Sequence, residues 1–155
     1  MPLNVVLVHP EIPPNTGNIA RLCAATGSHL HLVEPLGFSI DDAKLRRAGL
    51  DYWEDVHVQV HPSWNACLSH VHPRRLFFYS TASGRRYDHV DYEPGDTLVF
   101  GCETKGLPDD LLAAHPGQIL GIPMRTEFVR SLNLSTAVGI VVYHALHTID
   151  QRLSF

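Results

Sequence analysis

Short apolar runs alternate with segments of helical periodicity along the chain, and this alternation is the feature that most constrains its fold. The predicted strands are six runs rich in β-branched and other apolar residues, at positions 3–8, 29–33, 56–60, 76–80, 98–101 and 119–122. Strands separated by helices need crossover connections, which leave neighbouring strands parallel. The sequence therefore predicts an α/β fold of three layers around a largely parallel sheet.

The predicted helices occupy the segments between these runs. The first helix is predicted from the helical spacing of Ile19, Leu22, Cys23 and Thr26, and it is expected to end at Gly27, a typical C-terminal stop. Ser39 followed by Asp42 resembles a capping box and predicts a helix over residues 39–48. Shorter helices are predicted over residues 63–69 and 108–114.

The last helix carries the longest apolar stripe in the chain. The stripe has helical spacing and consists of Leu134, Val138, Val141, Val142, Ala145 and Ile149. Ala137, Ile140 and Tyr143 lie away from it, so the helix is apolar on more than one side. A second apolar face is typical of a helix that contacts a partner subunit, but ordinary core packing explains the periodicity equally well.

Length and cysteine content favour a simple intracellular protein. A chain of 155 residues predicts one domain, over residues 1–155. Its 3 cysteines are odd in number and lack CxxC spacing, so neither a disulfide framework nor a zinc site is expected, and a reducing cytoplasm fits them. His9 and Pro10 interrupt the first apolar run before a signal-peptide core could form, and no stretch approaches the length of a membrane span.

The net charge of -4 disfavours non-specific attraction to nucleic acid. Most of the basic residues are nevertheless arginines, which bind phosphate in a bidentate manner and stack on bases. They form four small groups, Arg46/Arg47, Arg74/Arg75, Arg85/Arg86 and Arg125/Arg130. These groups are compatible with an RNA surface and equally with solvated faces.

Three segments place Gly, Asn, Ser or Glu close after a predicted strand. They are PPNTGNIARLCAATG at 13–27, LVFGCETKGLP at 98–108 and the stretch 122–143. Because an open α/β sheet binds ligands at the carboxyl ends of its strands, we expect a ligand site there. The chain has no GxGxxG after its first strand and no GxxxxGK[ST], which argues against a dinucleotide or triphosphate cradle.

These segments carry a family resemblance. NTGNIARL, then FGCETKGLP, then IPM followed by SLNLSTA resembles the three ordered motifs of the SPOUT methyltransferases. The resemblance implies a C-terminal trefoil knot over approximately residues 76–155, S-adenosylmethionine as cofactor and a homodimer. It is strongest to small bacterial members without an added RNA-binding domain, which implies 2′-O-ribose methylation of a wobble cytidine or uridine in tRNA.

The resemblance also assigns site residues. Cofactor contacts are implied for Tyr79, Gly101, Glu103, Ile122, Met124, Ser131, Leu132 and Asn133. From its position alone, Glu103 could bind ligand groups or cap local backbone donors. Tyr79 could equally fill a strand edge.

The same resemblance assigns the reaction chiefly to Arg21. Asn15, Asn18 and Arg21 are spaced three apart, which places them on one helix face, and all three are candidate catalytic residues. Because a guanidinium stays protonated, we expect Arg21 to grip a phosphate and to stabilise charge on the 2′ oxygen rather than to act as a base. Tyr143 is a further candidate for orienting the substrate, with simple packing as its alternative.

Two other functions remain compatible with the sequence: a non-catalytic RNA-binding dimer, and an enzyme that uses another adenosine ligand in the same crevice. A metal site is not predicted. Histidine pairs occur on shared faces, at His29/His31, His70/His72 and His144/His147, but none has a third ligand at a recognised spacing or a cysteine beside it.

Overall fold

The computed structural model describes residues 1–53 and 55–149, with residues 49–53 described by their backbone alone. It contains one six-stranded sheet in the order β3-β2-β1-β5-β4-β6, with every described pairing of these strands parallel. The strands are β1 Asn4–Val8, β2 His29–Val33, β3 Val58–His61, β4 Leu76–Tyr79, β5 Thr97–Phe100 and β6 Ile119–Leu120. The α-helices are α1 Pro13–Thr26, α2 Ala43–Trp53, α3 Trp64–Val71, α4 Asp109–Ala114 and α5 Leu134–Ile149.

Alternate residues of the central strands face opposite layers. Val5 and Leu7 of β1 belong to a core cluster that includes buried residues of α1 and α5. Val6 and Val8 belong to a second cluster that includes buried residues of α3 and α4. Because β1 is apolar on both faces and is buried between helices, the three-layer α/β prediction is confirmed.

The ends of α1 and α3 follow from local capping. Gly27 ends α1 in the left-handed region, with φ +70°, and its N–H donates to the Cys23 carbonyl, which confirms the predicted stop. Ser63 caps α3, because its side chain accepts from the Ala66 N–H. This helix begins at Trp64 and continues to Val71, two residues past the predicted end.

The prediction of a helix over 39–48 is wrong at both ends. Asp42, rather than Ser39, caps α2: its Oδ1 accepts from the Lys44 N–H at 2.8 Å, and the helix begins at Ala43. Ser39 instead belongs to the preceding turn, where its Oγ accepts from the Asp41 N–H. The helix also continues through Gly49 to Trp53, since a glycine lowers helix stability without ending a helix whose other residues favour it.

The strand predicted over 119–122 is shorter than expected because the backbone changes partners. The ladder with β4 ends at Leu120, after which the Gly121 N–H donates to the Arg85 carbonyl at 2.8 Å. The Gly121 carbonyl then accepts from the Tyr87 N–H at 3.0 Å. Residue 121 is therefore held by the loop that follows β4 rather than by the ladder with β4.

The single domain predicted over 1–155 and the knotted region predicted over 76–155 both extend past residue 149, so residues 150–155 of each lie outside the described part of the chain. Among the described residues, no helix has the length and apolar character needed to cross a bilayer.

Candidate functional site

The loops that follow β1 and β5 meet at Glu103. Its Oε1 accepts from the Glu11 N–H at 2.9 Å, and its Oε2 accepts from the Ile12 N–H at 2.8 Å. These donors lie at the start of α1, where unpaired N–H groups favour a negative charge. Glu103 therefore caps a helix distant in sequence, and its predicted contact with a cofactor stays a prediction.

Asn15 joins three loops that are remote in sequence. Its Nδ2 donates to Glu103 Oε2 at 3.2 Å, and its Oδ1 accepts from Asn133 Nδ2 at 3.1 Å. The side chain is only 6% exposed, so neither of its polar groups has ready access to water as a substitute partner. One buried amide thus connects the first, second and third sequence motifs.

Asn133 also organises the start of α5. Its Oδ1 accepts from the Ser135 hydroxyl at 2.6 Å and from the Thr136 N–H at 3.3 Å, and its carbonyl accepts from the Ala137 N–H. This is the geometry of a helix N-cap. The cap and the Asn15 contact together position the end of the loop 121–133, which carries five of the predicted cofactor residues, Ile122, Met124, Ser131, Leu132 and Asn133.

A second contact joins the loops after β1 and β5, and here the loop after β1 supplies the carboxylate. Glu11 Oε1 accepts from the Thr104 hydroxyl at 2.7 Å and from the Thr104 N–H at 3.0 Å. These hydrogen bonds lower the pKa of Glu11 below its ordinary value, because they favour the ionised carboxylate. The loops after β1 and β5 are therefore held together by carboxylates from both sides.

Gly101 allows the chain after β5 to fold back on itself. A Cβ at this position would lie 2.1 Å from the Gly106 carbonyl carbon and 2.2 Å from the Leu107 nitrogen. Cys102 and Gly106 exchange backbone hydrogen bonds across the turn, and Gly106 has φ +69°. Only a residue without a side chain fits at position 101, because the chain's own backbone at Gly106 and Leu107 occupies the space that a Cβ would need.

Gly121 makes a similar close approach to the loop after β4. A Cβ there would meet the Ser80 and Ser83 carbonyl oxygens at 3.1 and 3.2 Å. The loop then presents Ile122, half-buried against the core, and Met124, also half-buried. Ser131 is exposed and Leu132 is half-buried at its far end.

Tyr79 lies in the core rather than in an open cleft. Its hydroxyl is 3.0 Å from the Tyr92 hydroxyl, which donates to the Tyr87 carbonyl at 2.8 Å, and its ring stacks on Phe100. Burial and the neighbouring Tyr92 raise the pKa of Tyr79 well above its ordinary value. Because the ring is enclosed by protein, a cofactor contact by this residue would have to use its main chain.

The predicted catalytic residues differ in burial. Asn15 is buried in the loop junction, whereas Asn18 and Arg21 are exposed on the following turns. Tyr143 lies on α5 and is 47% exposed. The loop before α5 also exposes two apolar residues, Phe128 and Val129.

A buried cluster on the other face of the sheet was missed from the sequence. His31, His61 and Cys67 place a ring nitrogen or sulfur within 4.8 Å of one another, which corrects the inference that no cysteine lies beside these histidines. Burial, with His61, His70 and His29 nearby, lowers the pKa of His31 to about 4, and burial raises the pKa of Cys67 to about 11. These three residues form no spacing motif in the sequence, because the contact between them depends on how β3 pairs with β2.

Comparison with known proteins gives matches over nearly the whole chain. The family model described as the SpoU rRNA Methylase family matches residues 2–143. A protein of Burkholderia cenocepacia (strain HI2424) named tRNA (cytidine(34)-2′-O)-methyltransferase is 55% identical over 146 residues, 92% of each chain. An Escherichia coli (strain K12) protein of the same name is 53% identical over 144 residues, covering 92% of this chain and 91% of the other.

Among solved structures, one described as "Structural insights into the 2-OH methylation of C/U34 on tRNA" has the same fold. Its TM-score against this chain is 0.90, with 45% sequence identity and 97% of both chains covered.

Proposed function

This chain belongs to the SpoU rRNA methylase family, and we propose that it transfers a methyl group from S-adenosylmethionine to the ribose 2′-OH of the wobble nucleotide, cytidine or uridine 34, of tRNA. The observation that carries the proposal is the Asn15 junction, which links the three motif loops at the carboxyl edge of the sheet. Relatives named for this reaction cover more than nine tenths of the chain. We assign the activity to a single domain over residues 1–155.

The loops at this edge fit an S-adenosylmethionine site. The turn at Gly101 packs so closely on Gly106 and Leu107 that no Cβ fits, and Asn15 joins the loop after this turn, through Glu103, to the loop 121–133, through Asn133. We assign cofactor contacts to Gly101, Glu103, Ile122, Met124, Ser131, Leu132 and Asn133, with Tyr79 contributing its main chain. When bound, this cofactor supplies a methyl group already activated by a sulfonium.

We also propose that the C-terminal part of the chain is threaded as a trefoil knot, over approximately residues 76–155. Two contacts support this: Gly121 is held inside the loop that follows β4, and the chain then returns so that Asn133 reaches Asn15 at the start of α1. A threaded path would fix the cofactor loops more firmly than open loops of the same length, because each would restrain the other.

Arg21 is our candidate for stabilising the reaction. It is exposed one and two turns beyond Asn18 and Asn15 on α1, the helix whose start forms the loop junction. A positioned guanidinium binds the phosphate next to the reactive ribose and favours the negative charge that develops as the 2′-OH loses its proton. Asn18 can orient the ribose by hydrogen bonding, and Asn15 holds the loops that align the reactants.

The arginine groups do not contribute equally to the proposed tRNA surface. Arg75 pairs with Glu93 and Asp96, and Arg86 pairs with Asp88, so their guanidinium groups already have acidic partners. Arg125 and Arg130 are exposed on the loop 121–133. We assign phosphate contacts to these two, because they lie on the loop proposed to bind the cofactor.

We propose that two copies form the working unit, in the cytoplasm where tRNA is modified. The exposed Tyr143 on α5, with Phe128 and Val129 on the preceding loop, provides an apolar surface for the second copy. In such a dimer the Tyr143 hydroxyl could orient substrate at the neighbouring site.

The direct test is to incubate the protein with methyl-labelled S-adenosylmethionine and tRNA lacking the modification, and to map the product. We expect one 2′-O-methyl group at nucleotide 34. Arg21→Ala should lower turnover by roughly 100-fold or more, as expected for a group that stabilises developing charge. Arg74→Ala is the matched control, because Arg74 is exposed at the opposite edge of the sheet, just before β4.

The alternatives give different results. A non-catalytic RNA-binding dimer would transfer no label, and Arg21→Ala would weaken only its RNA affinity. An enzyme using another adenosine ligand would bind adenine nucleotides more tightly than S-adenosylhomocysteine in calorimetry.

A further inference from the structure

His31, His61 and Cys67 form a compact set of soft and borderline ligands on the face of the sheet covered by α3. All three are almost completely buried, at 3%, 6% and 1% exposure. They come from β2, β3 and α3, and one ligand atom of each lies within 4.8 Å of the other two. Two imidazoles and a thiol at this separation are a donor set that Zn²⁺ commonly takes in proteins.

The distance between the two imidazole nitrogens is close to that in a metal site. His31 Nδ1 lies 3.0 Å from His61 Nε2. Two nitrogens bound tetrahedrally to Zn²⁺ at 2.0–2.1 Å are roughly 3.3 Å apart, so the rings need to separate by only a few tenths of an ångström.

Asn4 orients the His31 ring for metal binding. The Asn4 Oδ1 lies 3.1 Å from His31 Nε2, and an amide oxygen can only accept a hydrogen bond. The proton of His31 is therefore on Nε2, and the lone pair on Nδ1 points into the cluster. Metal-binding histidines are usually oriented in this way, by an oxygen that accepts from the nitrogen not bound to the metal.

His70, on the same helix as the cysteine, lies next to this cluster. It follows Cys67 by three residues, so both lie on one face of α3. Its ring centre is 5.4 Å from that of His61 and 6.2 Å from that of His31. His70 also borders an open cleft of about 410 Å³ that reaches His31, which gives an ion access from solvent.

We propose that His31, His61 and Cys67 bind one Zn²⁺ ion, with His70 completing a tetrahedral site. Binding releases the Cys67 thiol proton to solvent and moves the His61 ring proton from Nε2 to Nδ1, so that the sulfur and three nitrogens each give a lone pair to the metal. The ion joins β2, β3 and α3, on the opposite face of the sheet from α1 and α5. Its role is to stabilise this edge of the fold, apart from the methyl-transfer site.

The test uses the full chain after treatment with a chelator. Titration with Co²⁺, which reports on the ligands through its absorption spectrum, should give one equivalent bound, tetrahedral ligand-field bands and a sulfur-to-cobalt charge-transfer band. Zn²⁺ should abolish these bands by displacement, and it should raise the thermal unfolding temperature. Absence of the charge-transfer band in the wild-type chain would overturn the proposal.

Variants identify the ligands. Cys67→Ala should remove the charge-transfer band, and His61→Gln should lower Zn²⁺ affinity by roughly tenfold or more. The matched controls are Cys102→Ala and His147→Gln, which lie outside the cluster and should bind as the wild type does. Circular dichroism checks that each variant is folded; if Cys67→Ala is not, Asn4→Ala, which removes no ligand, should still weaken binding.

A wild-type spectrum that persists in Cys67→Ala, or that is lost in Cys102→Ala, places the metal elsewhere and contradicts the assignment. Because none of the proposed metal ligands belongs to the three loops assigned to methyl transfer, loss of Zn²⁺ binding with methyl transfer intact leaves the proposed function untouched.

Discussion

Individual side chains in this protein connect loops that the sequence separates widely. Asn15 is the clearest case, because its amide donates to Glu103 in one loop and accepts from Asn133 in another. Neither contact could be predicted from spacing: the residue pairs are 88 and 118 positions apart. The family resemblance singled out Glu103 and Asn133, and helical spacing singled out Asn15, but their mutual hydrogen bonds emerged only from the structure.

We expect Asn15→Ala to lower the free energy of unfolding by about 1–3 kcal/mol, because it removes the buried Asn15 amide that accepts from Asn133 and donates to the Glu103 carboxylate. Asn18→Ala is the control. Asn18 is exposed one turn further along α1, and its replacement should change stability by less than about 0.5 kcal/mol. Urea unfolding of both variants measures the difference, and equal stability in the two would argue against the junction.

The Tyr79 phenol should make stability fall in alkaline solution. Its pKa is raised well above the ordinary value of 10.0 in the folded state, so its contribution is intact below pH 10 and is lost as the unfolded chain ionises at higher pH. Tyr79→Phe should therefore give a shallower decline between pH 10 and 11. Urea unfolding at pH 8 and at 11 tests this, and an equally steep decline in Tyr79→Phe would contradict it.

At the scale of helices and strands, the sequence predicts where an element lies better than where it begins and ends. β2 has the predicted bounds, His29–Val33, because its short run of leucine, histidine and valine is bracketed by polar or turn-forming residues. The start of α2 was mispredicted because Ser39 and Asp42 are both good caps, and only the folded turn decides between them. The early end of β6 depends on a hydrogen bond from Gly121 to Arg85, which no local pattern encodes.

The turn after β5 should not tolerate a side chain at Gly101. A Cβ would lie 2.1 Å from backbone of Gly106, so we expect Gly101→Ala to displace the turn and to weaken S-adenosylhomocysteine binding by more than about tenfold. Gly117→Ala is the control, because nothing lies within 4 Å of its Cβ position. Calorimetry on both variants provides the comparison, and unchanged affinity in Gly101→Ala would show that the cofactor does not depend on this turn.

At the scale of the whole molecule, the alternation of strands and helices was enough to predict a parallel three-layer sheet. It could not reveal the strand order, because the pairing of β1 with both β2 and β5 depends on long-range contacts. The His31, His61 and Cys67 cluster was hidden for the same reason: its members come together only through strand pairing and helix packing.

We expect a dimer in solution that depends on the surface formed by α5 and the preceding loop. Tyr143→Asp places a charge in this apolar surface and should raise the dimer dissociation constant by roughly tenfold or more. The control is Val60→Asp, which replaces an exposed apolar residue on the edge strand β3. Sedimentation equilibrium measures the dissociation constant of both variants. A wild-type chain that is monomeric at assay concentration would contradict the proposed dimer.

The most direct measurement of the central claim is a crystal structure of the chain with S-adenosylhomocysteine and a tRNA anticodon stem-loop. We expect the cofactor between the Gly101 turn and the loop 121–133, with its sulfur directed toward the 2′-OH of nucleotide 34 and Arg21 beside the adjoining phosphate. A cofactor bound away from these loops, or a ribose 34 held out of reach of its sulfur, would contradict the assignment.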